Sequence, residues 1–314
     1  CNGCGICLSS CPGLGVNFRI LEETFLMDST NRARIGKYIN CYTGFATDPH
    51  LRYRSASGGG VTCLLKYALD RKVIDGAVVT KMDQTLPLLP RVFMARRKED
   101  LVAAQGSKYC PVPVGIAIRA ILRKEGRYAV VGLPCHIQGI RKAELVNREL
   151  KERVTLHFSL FCGRCTTLRG TEFLLREFGI SSENLAEIRY RGEGWPGFFS
   201  AEYKSGERRF IPYHEYAGRM TFANGFCPIR CMMCPDGTGE LSDVSFGDAW
   251  LPEFASNRIG RSIVITRTKK ADGLLRAAVD AGYFKASRVS SDKAEFSQKR
   301  MIRWHKDWLG ARLG

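Results

Sequence analysis

The chain contains no apolar run of roughly 18 residues, the length a helix needs to cross a bilayer, so no membrane span is expected. Nor does it have a positively charged start followed by a short apolar core. No secretory signal is therefore visible, and a cytoplasmic location is expected. No Walker sequence is present, which removes one common glycine signature for nucleotides. Internal repeats and low-complexity linkers are absent. Acidic residues are short: 31 Asp and Glu stand against 48 Lys and Arg, a net charge of +17. Methionine is missing at position 1, which is Cys1 itself, so further sequence is expected to precede it.

What is present suffices for a core, because 45% of the 314 residues are hydrophobic and disorder is not expected. The basic surplus points to an acidic partner or ligand. Nucleic acid is not expected, since aromatic–basic repeats and zinc-finger spacing are lacking. An acidic redox protein or a cofactor bearing phosphate or carboxylate answers the charge equally well. Anionic iron–sulfur cubanes within the chain would offset part of it. The abundant residue is cysteine, with 13 copies. They are clustered, in a chain too long for a disulfide scaffold, so metal ligation in a reducing compartment is the better account.

The opening "CNGCGICLSSCP" places Cys1, Cys4, Cys7 and Cys11 ahead of Pro12. This is the spacing of the bacterial ferredoxin run, in which close thiolates reach corners of one [4Fe-4S] cubane. Gly3 and Gly5 allow the backbone to wrap closely. In two-cluster ferredoxins the fourth Cys binds the other cluster, so a missing partner is sought elsewhere. A second group, Cys227, Cys231 and Cys234 before Pro235, suits a second cubane with one remote ligand; a zinc knuckle is the competing reading. Remote candidates are Cys135 in "GLPCHIQGIRK" and Cys162 in "SLFCGRC". Cys41, Cys63 and Cys110 read as ordinary core residues, and Cys165 is undecided.

Periodicity predicts an α/β fold: a mixed, mainly parallel sheet with flanking helices, a small β-rich insertion and an N-terminal ferredoxin-type [4Fe-4S] segment. Residues 1–37 form that segment, 38–290 the α/β domain, and 291–314 a basic C-terminal helix for packing or partner docking. "SASGGGVTCLLKYALDRK" predicts a helix with Ser57 as its cap. "VIDGAVVTKM", "RVFMARR", "RYAVVGLPC" and "RVTLHFSLFC" predict strands. The last two deliver Cys135, on a loop Leu133-Pro134-Cys135, and Cys162 to C-terminal strand ends, where such sheets place chemistry. Helices are expected through "EDLVAAQ" and "VGIAIRAILRKEG". "EIRYRG", "GFFSAEYK" and "RRFIPY" predict the insertion, with a hairpin turn at Ser205-Gly206.

Ser57-Gly58-Gly59-Gly60 at a helix start offers bare N–H groups to a phosphate. The polar glycine loop Gln105-Gly106-Ser107-Lys108-Tyr109 strengthens that reading.

Six motifs in order, "SGGGVTCLLKYAL", "QGSKY", "VVGLPCHIQGIRKA", "SLFCG", "RCMMCPD…ELSDVSFGD" and "GRSIVITRT", resemble the coenzyme F420 hydrogenase/dehydrogenase beta-subunit family over about residues 38 to 290. The resemblance implies FAD contacts from Ser57, Gly58, Gly59, Gly60, Gly106, Ser107, Lys108, Tyr109 and the vicinity of Gly132. It makes Cys135, Cys162, Cys231 and Cys234 the expected core-cluster set. Cys227 and Cys11 are left over, each able to complete the cluster begun by Cys1, Cys4 and Cys7, or to join Cys231 and Cys234. The implied activity is electron transfer between a two-electron deazaflavin or other hydride partner, at FAD, and two [4Fe-4S] clusters serving a ferredoxin or other subunits of a redox complex. A non-catalytic relay subunit is the alternative. No catalytic residue is assigned. Lys108, Arg141, Lys142, Arg258 and Arg261 are candidates for anion contacts; Asp236 and Asp248 read as turn formers.

Overall fold

The computed structural model describes residues 5–222 and 224–313; Cys1 and Cys4 of the first run lie outside the described residues. In chain order the strands are β1 (Asn31–Ala33), β2 (Gly36–Tyr38), β3 (Asn40–Ala46), β4 (Gly76–Met82), β5 (Pro90–Ala95), β6 (Tyr128–Gly132), β7 (Val154–Leu160), β8 (Leu185–Arg189), β9 (Phe198–Tyr203), β10 (Arg208–Pro212), β11 (Val244–Asp248), β12 (Ser262–Thr266) and β13 (Phe284–Val289). Eight of them make one sheet in the order β13-β3-β12-β11-β7-β6-β4-β5. The central block β11-β7-β6-β4 is parallel, and antiparallel strands flank it on both sides.

The parallel strands are covered on both faces, which is why they read as continuous apolar runs. Leu64, Leu65 and Ala68 of helix Gly60–Asp70, with Leu275 and Ala278 of helix Lys269–Asp280, pack on one face. Ile121 of helix Ala117–Leu122, and Ile140 and Ala143 of helix Pro134–Val146, pack on the other. Phe158 of β7 and Phe246 of β11 stack with centroids 5.9 Å apart, a contact contributing roughly 0.5–1.5 kcal/mol beyond burial. The insertion is a separate antiparallel sheet, β10-β9-β8, with its own core of Leu174, Ile188, Phe199 and Tyr216. Its hairpin turns at Gly206, whose φ of 87° is natural to glycine.

Four local expectations are corrected. The cap of helix Gly60–Asp70 is Gly59 at φ 77°, not Ser57, whose hydroxyl donates instead to the Arg261 carbonyl. The helix expected up to Gly126 stops at Leu122, where the Tyr128 hydroxyl draws in the carbonyls of Lys124 and Glu125. Leu133-Pro134-Cys135 is not a loop: a helix starts at Pro134, whose missing N–H costs nothing in the first turn. The tail is broken into Ser291–Ser297, Lys299–Ile302, a π turn Arg303–Asp307 and Leu309–Leu313. The first break falls at Gln298, whose side chain turns away to donate to the Asp248 carbonyl.

Candidate cofactor and metal site

The C-terminal edge of the parallel block gathers thiols from three parts of the chain. Cys135 opens the helix after β6, Cys162 and Cys165 follow β7, and Cys227, Cys231 and Cys234 precede β11. Cys162 lies within electrostatic range of Cys135, Cys165, Cys231 and Cys234, and Cys165 within range of Cys231, Cys135 and Cys227. The four expected core ligands are therefore neighbours, with Cys165 and Cys227 beside them. Burial, then crowding by neighbouring thiols, pushes Cys135 up to about 11. Cys227 likewise stands at about 11, and burial carries Cys234 to about 12.

Thiols so placed ionise together only where a cationic core offsets their charge, as metal coordination does. Among the described residues no group of three or more His, Cys, Asp or Glu side chains is arranged to hold a single metal ion. A cubane spreads four thiolates over four irons, a wider set than one ion takes, so the donor chemistry fits an iron–sulfur cluster.

Backbone interactions hold the thiol-bearing segments in place. The Cys162 N–H donates to the Gly237 carbonyl at 2.9 Å. Gln138, one turn after Cys135, donates to Asp236 at 3.0 Å, and the other Asp236 oxygen accepts the N–H groups of Thr238, Gly239 and Glu240. Asp236 thus forms the expected turn. His305 of the tail sits between the loops, with Nδ1 2.7 Å from the Cys234 carbonyl oxygen and Nε2 3.0 Å from those of Cys162 and Gly163. Nothing in the tail's sequence pattern announced that contact. His136 is a structural residue: its Nδ1 accepts the Leu133 N–H, and burial lowers it to about 4, so it is neutral.

The described part of the first Cys run, Cys7 and Cys11, lies beside this group. Cys7 and Cys11 are exposed. Helix Ile6–Ser10 packs on helix Pro134–Val146, and the Lys142 ammonium donates to the carbonyls of Cys11 and Gly15 at 3.0 and 2.8 Å. A Cβ added at Gly13 would meet both the Arg230 guanidinium at 2.7 Å and the Cys11 sulfur at 2.9 Å, so Cys11 borders the segment that carries Cys231.

The glycine loops occupy the same edge. Gly58 is dictated by packing, for a Cβ there would lie 2.5 Å from the Gly44 carbonyl oxygen and 2.7 Å from the Ser262 nitrogen. At Gly60 a Cβ would lie 2.9 Å from the Phe246 ring. The first N–H groups of helix Gly60–Asp70 have no intrahelical acceptor and are available to an anion. At Gly132 a Cβ would meet that of His136 at 2.7 Å, so β6 ends tightly against the helix of Cys135. Gly106 takes φ 91°, and the Lys108 ammonium folds back onto the carbonyls of Ala104, Gln105 and Gly106 rather than reaching outward. Burial, then repulsion from Arg189, lowers Lys108 to about 7. Ser107 and Tyr109 are half-buried in the same loop. Beside it a cleft of about 680 Å³ is lined by Arg54, Lys81, Arg189, Asp83 and Glu187.

A buried residue that sequence reasoning missed ties these loops together. Arg191 donates to the Pro196 carbonyl at 2.8 Å, the Tyr109 hydroxyl at 3.1 Å, the Ala56 carbonyl at 2.6 Å and the Asp248 carboxylate at 2.8 Å. Asp248 also accepts the Trp195 indole N–H, so it is an ion-pair partner and not the turn former expected. Trp195, Trp250 and Tyr213 pack around this pair, Tyr213 stacking on Trp250 and Trp195 tilted against it. Only the distance between "RYRG" and "FGDAW" in the chain concealed it. Arg141 is likewise no anion contact, being buried between Glu144 and Asp243.

Residues 41–119 match the family model for the N-terminal part of the coenzyme F420 hydrogenase/dehydrogenase beta subunit, and residues 125–292 match that for its C terminus. Over 266 residues the chain is 28% identical to the coenzyme F420 hydrogenase subunit beta of Methanothermobacter thermautotrophicus, spanning 82% of this chain and 88% of that one. Over 239 residues it is 28% identical to the coenzyme F420-dependent sulfite reductase of Methanocaldococcus jannaschii, spanning 70% of this chain and 34% of that one. A chain in the F420-reducing [NiFe] hydrogenase complex from Methanosarcina barkeri shares the fold, with TM-score 0.68 and 23% identity over 87% of this chain and 91% of that one. Among the described residues no helix is long and apolar enough to cross a membrane.

Proposed function

This chain belongs to the coenzyme F420 hydrogenase/dehydrogenase beta-subunit family, and from that premise we propose that it is a flavin- and iron–sulfur-dependent oxidoreductase subunit. It passes electrons between a two-electron carrier, a coenzyme F420-like deazaflavin or another hydride partner, and a ferredoxin or a neighbouring redox subunit. The observation that carries this reading is the convergence of Cys135, Cys162, Cys231 and Cys234 on the sheet edge that also presents the two glycine loops. Bound FAD would exchange electrons in pairs with a hydride partner and singly with an iron–sulfur cluster.

The chain's own residues hold and insulate. The N–H groups of helix Gly60–Asp70 would hold the flavin phosphates, and Arg191 keeps Ala56, Tyr109 and Asp248 in fixed relation beside that loop. The Thr166 hydroxyl donates to the Tyr109 carbonyl at 2.5 Å, joining the flavin loop to the segment of Cys165. Cys135, Cys162, Cys231 and Cys234 would hold the core cluster. The N-terminal run, whose Cys11 lies beside Arg230, would hold the second cluster and pass electrons to the partner.

Anaerobic purification followed by metal and flavin quantification tests this. The expected content is about eight irons per chain, two cubanes' worth, with one FAD and reduction of the clusters by reduced F420. Zinc at Cys231 and Cys234, or a disulfide between them, would falsify the reading. Eight irons without flavin would favour the relay alternative.

A further inference from the structure

The end of the chain, past the family match at residue 292, folds back over the cysteine group. Arg312 donates Nε to the Met232 carbonyl at 2.7 Å, which anchors its guanidinium between Cys231 and Cys234 in the sequence. Its Nη1 and Nη2 are buried and have no hydrogen-bond partner among the described residues, and the same holds for Trp304 Nε1. The Trp304 ring lies between two guanidiniums, 4.2 Å from that of Arg164 and 4.1 Å from that of Arg312. Arg312 is also within electrostatic range of Cys234.

Native interiors seldom leave a cation's donors unmet, because the desolvation of each goes uncompensated. The acceptors such donors call for are not supplied by the described residues. Anionic sulfur held at Cys231 and Cys234 would supply them. Hydrogen bonds to cluster sulfur and nearby charge are among the levers that set a cluster's reduction potential.

We propose that Arg312, braced by Trp304, is a potential-setting residue of the core iron–sulfur site, donating guanidinium N–H groups to sulfur at Cys231 and Cys234 and raising the cluster's reduction potential with its charge. The inference rests on the cluster reading above and extends it to a segment outside the family-matched span.

Redox titration monitored by electron paramagnetic resonance tests it, on anaerobically purified chain carrying Cys4→Ser and Cys7→Ser so that the core signal stands alone. Arg312→Leu is expected to weaken one-electron affinity about tenfold, a shift of about 59 mV to more negative potential. Arg312→Gln, which keeps donors without charge, should shift the same way by less, and Arg312→Lys should stay nearest the parent. If Arg312→Leu fails to retain iron, the Gln and Lys variants carry the comparison. Coincident potentials across the series at full iron content overturn the role of Arg312 while leaving the cluster in place. A parent chain with no cubane signal overturns the cluster reading and this inference together.

Discussion

Two buried polar groups share the same helix and the same strand and could hardly behave more differently. Helix Pro134–Val146 carries Cys135 at its start and Arg141 and Glu144 near its end; β7 carries His157 in its middle and leads to Cys162. At the inner position His157 sits between two carboxylates, with Nε2 2.6 Å from Glu144 and Nδ1 2.9 Å from Asp243. Arg141 reaches both carboxylates and the Leu241 carbonyl. This network supplies its own partners and leaves no room for a ligand's role. At the outer position thiols are crowded and held protonated, and two tail side chains keep donors that are unmet among the described residues. A closed polar network marks structure, whereas an open one marks a place where something else must bind.

The contrast is broken most sharply at the open end. Cys162→Ser or Cys234→Ser should remove the core cluster's iron, about half of the total, with electron transfer lost and the fold retained; iron quantification and circular dichroism check both. At the closed end the order reverses. Glu144→Gln should leave iron binding intact yet destabilise the domain by about 3–5 kcal/mol, since it strands part of a buried charge network; denaturant unfolding measures this.

Acidity separates the two ends further. Burial and Arg141 oppose the imidazolium of His157, but Glu144 and Asp243 outweigh them and hold it above its ordinary 6.5. Burial likewise opposes ionised Asp243, and Arg141 with His157 overrides it, holding the carboxyl well below its ordinary 3.8. The His157 contribution is complete below pH 6.5 and is lost as pH rises through the folded value. That of Asp243 is complete above pH 3.8 and is lost as pH falls through its own. Stability should therefore fall on the alkaline side by at most about 1.4 kcal/mol per pH unit, and His157→Gln should flatten that slope in unfolding experiments across pH. The smallest effect is expected at Lys142, which links the helix to the first Cys run. Lys142→Ala should speed limited proteolysis of residues near Cys11 without changing core iron.

Much of this was legible beforehand because it depends on neighbours in sequence. The "AVVG" and "VTLHFSL" runs read as buried strands, and Cys41, Cys63 and Cys110 as core residues, which they are at 2, 3 and 1% exposure. The gathering of Cys135 and Cys162 with the second Cys group followed from strand polarity. The pairing of β3 with β12 and β13, the Gly59 cap and the broken tail were not legible, because each is settled by a distant partner: a strand pairing, the Arg261 carbonyl and the Asp248 carbonyl.

By itself the order of residues determined the spacing within each Cys run and the apolar runs of the parallel strands, since a few ångströms per residue bound what near neighbours can reach. Only the tertiary structure decided that Arg191 closes on Asp248, that His157 is locked between carboxylates, and that Arg312 returns to the thiols. Those contacts join residues 13 to 86 positions apart, and no local rule specifies which distant segments the packed sheet will bring together.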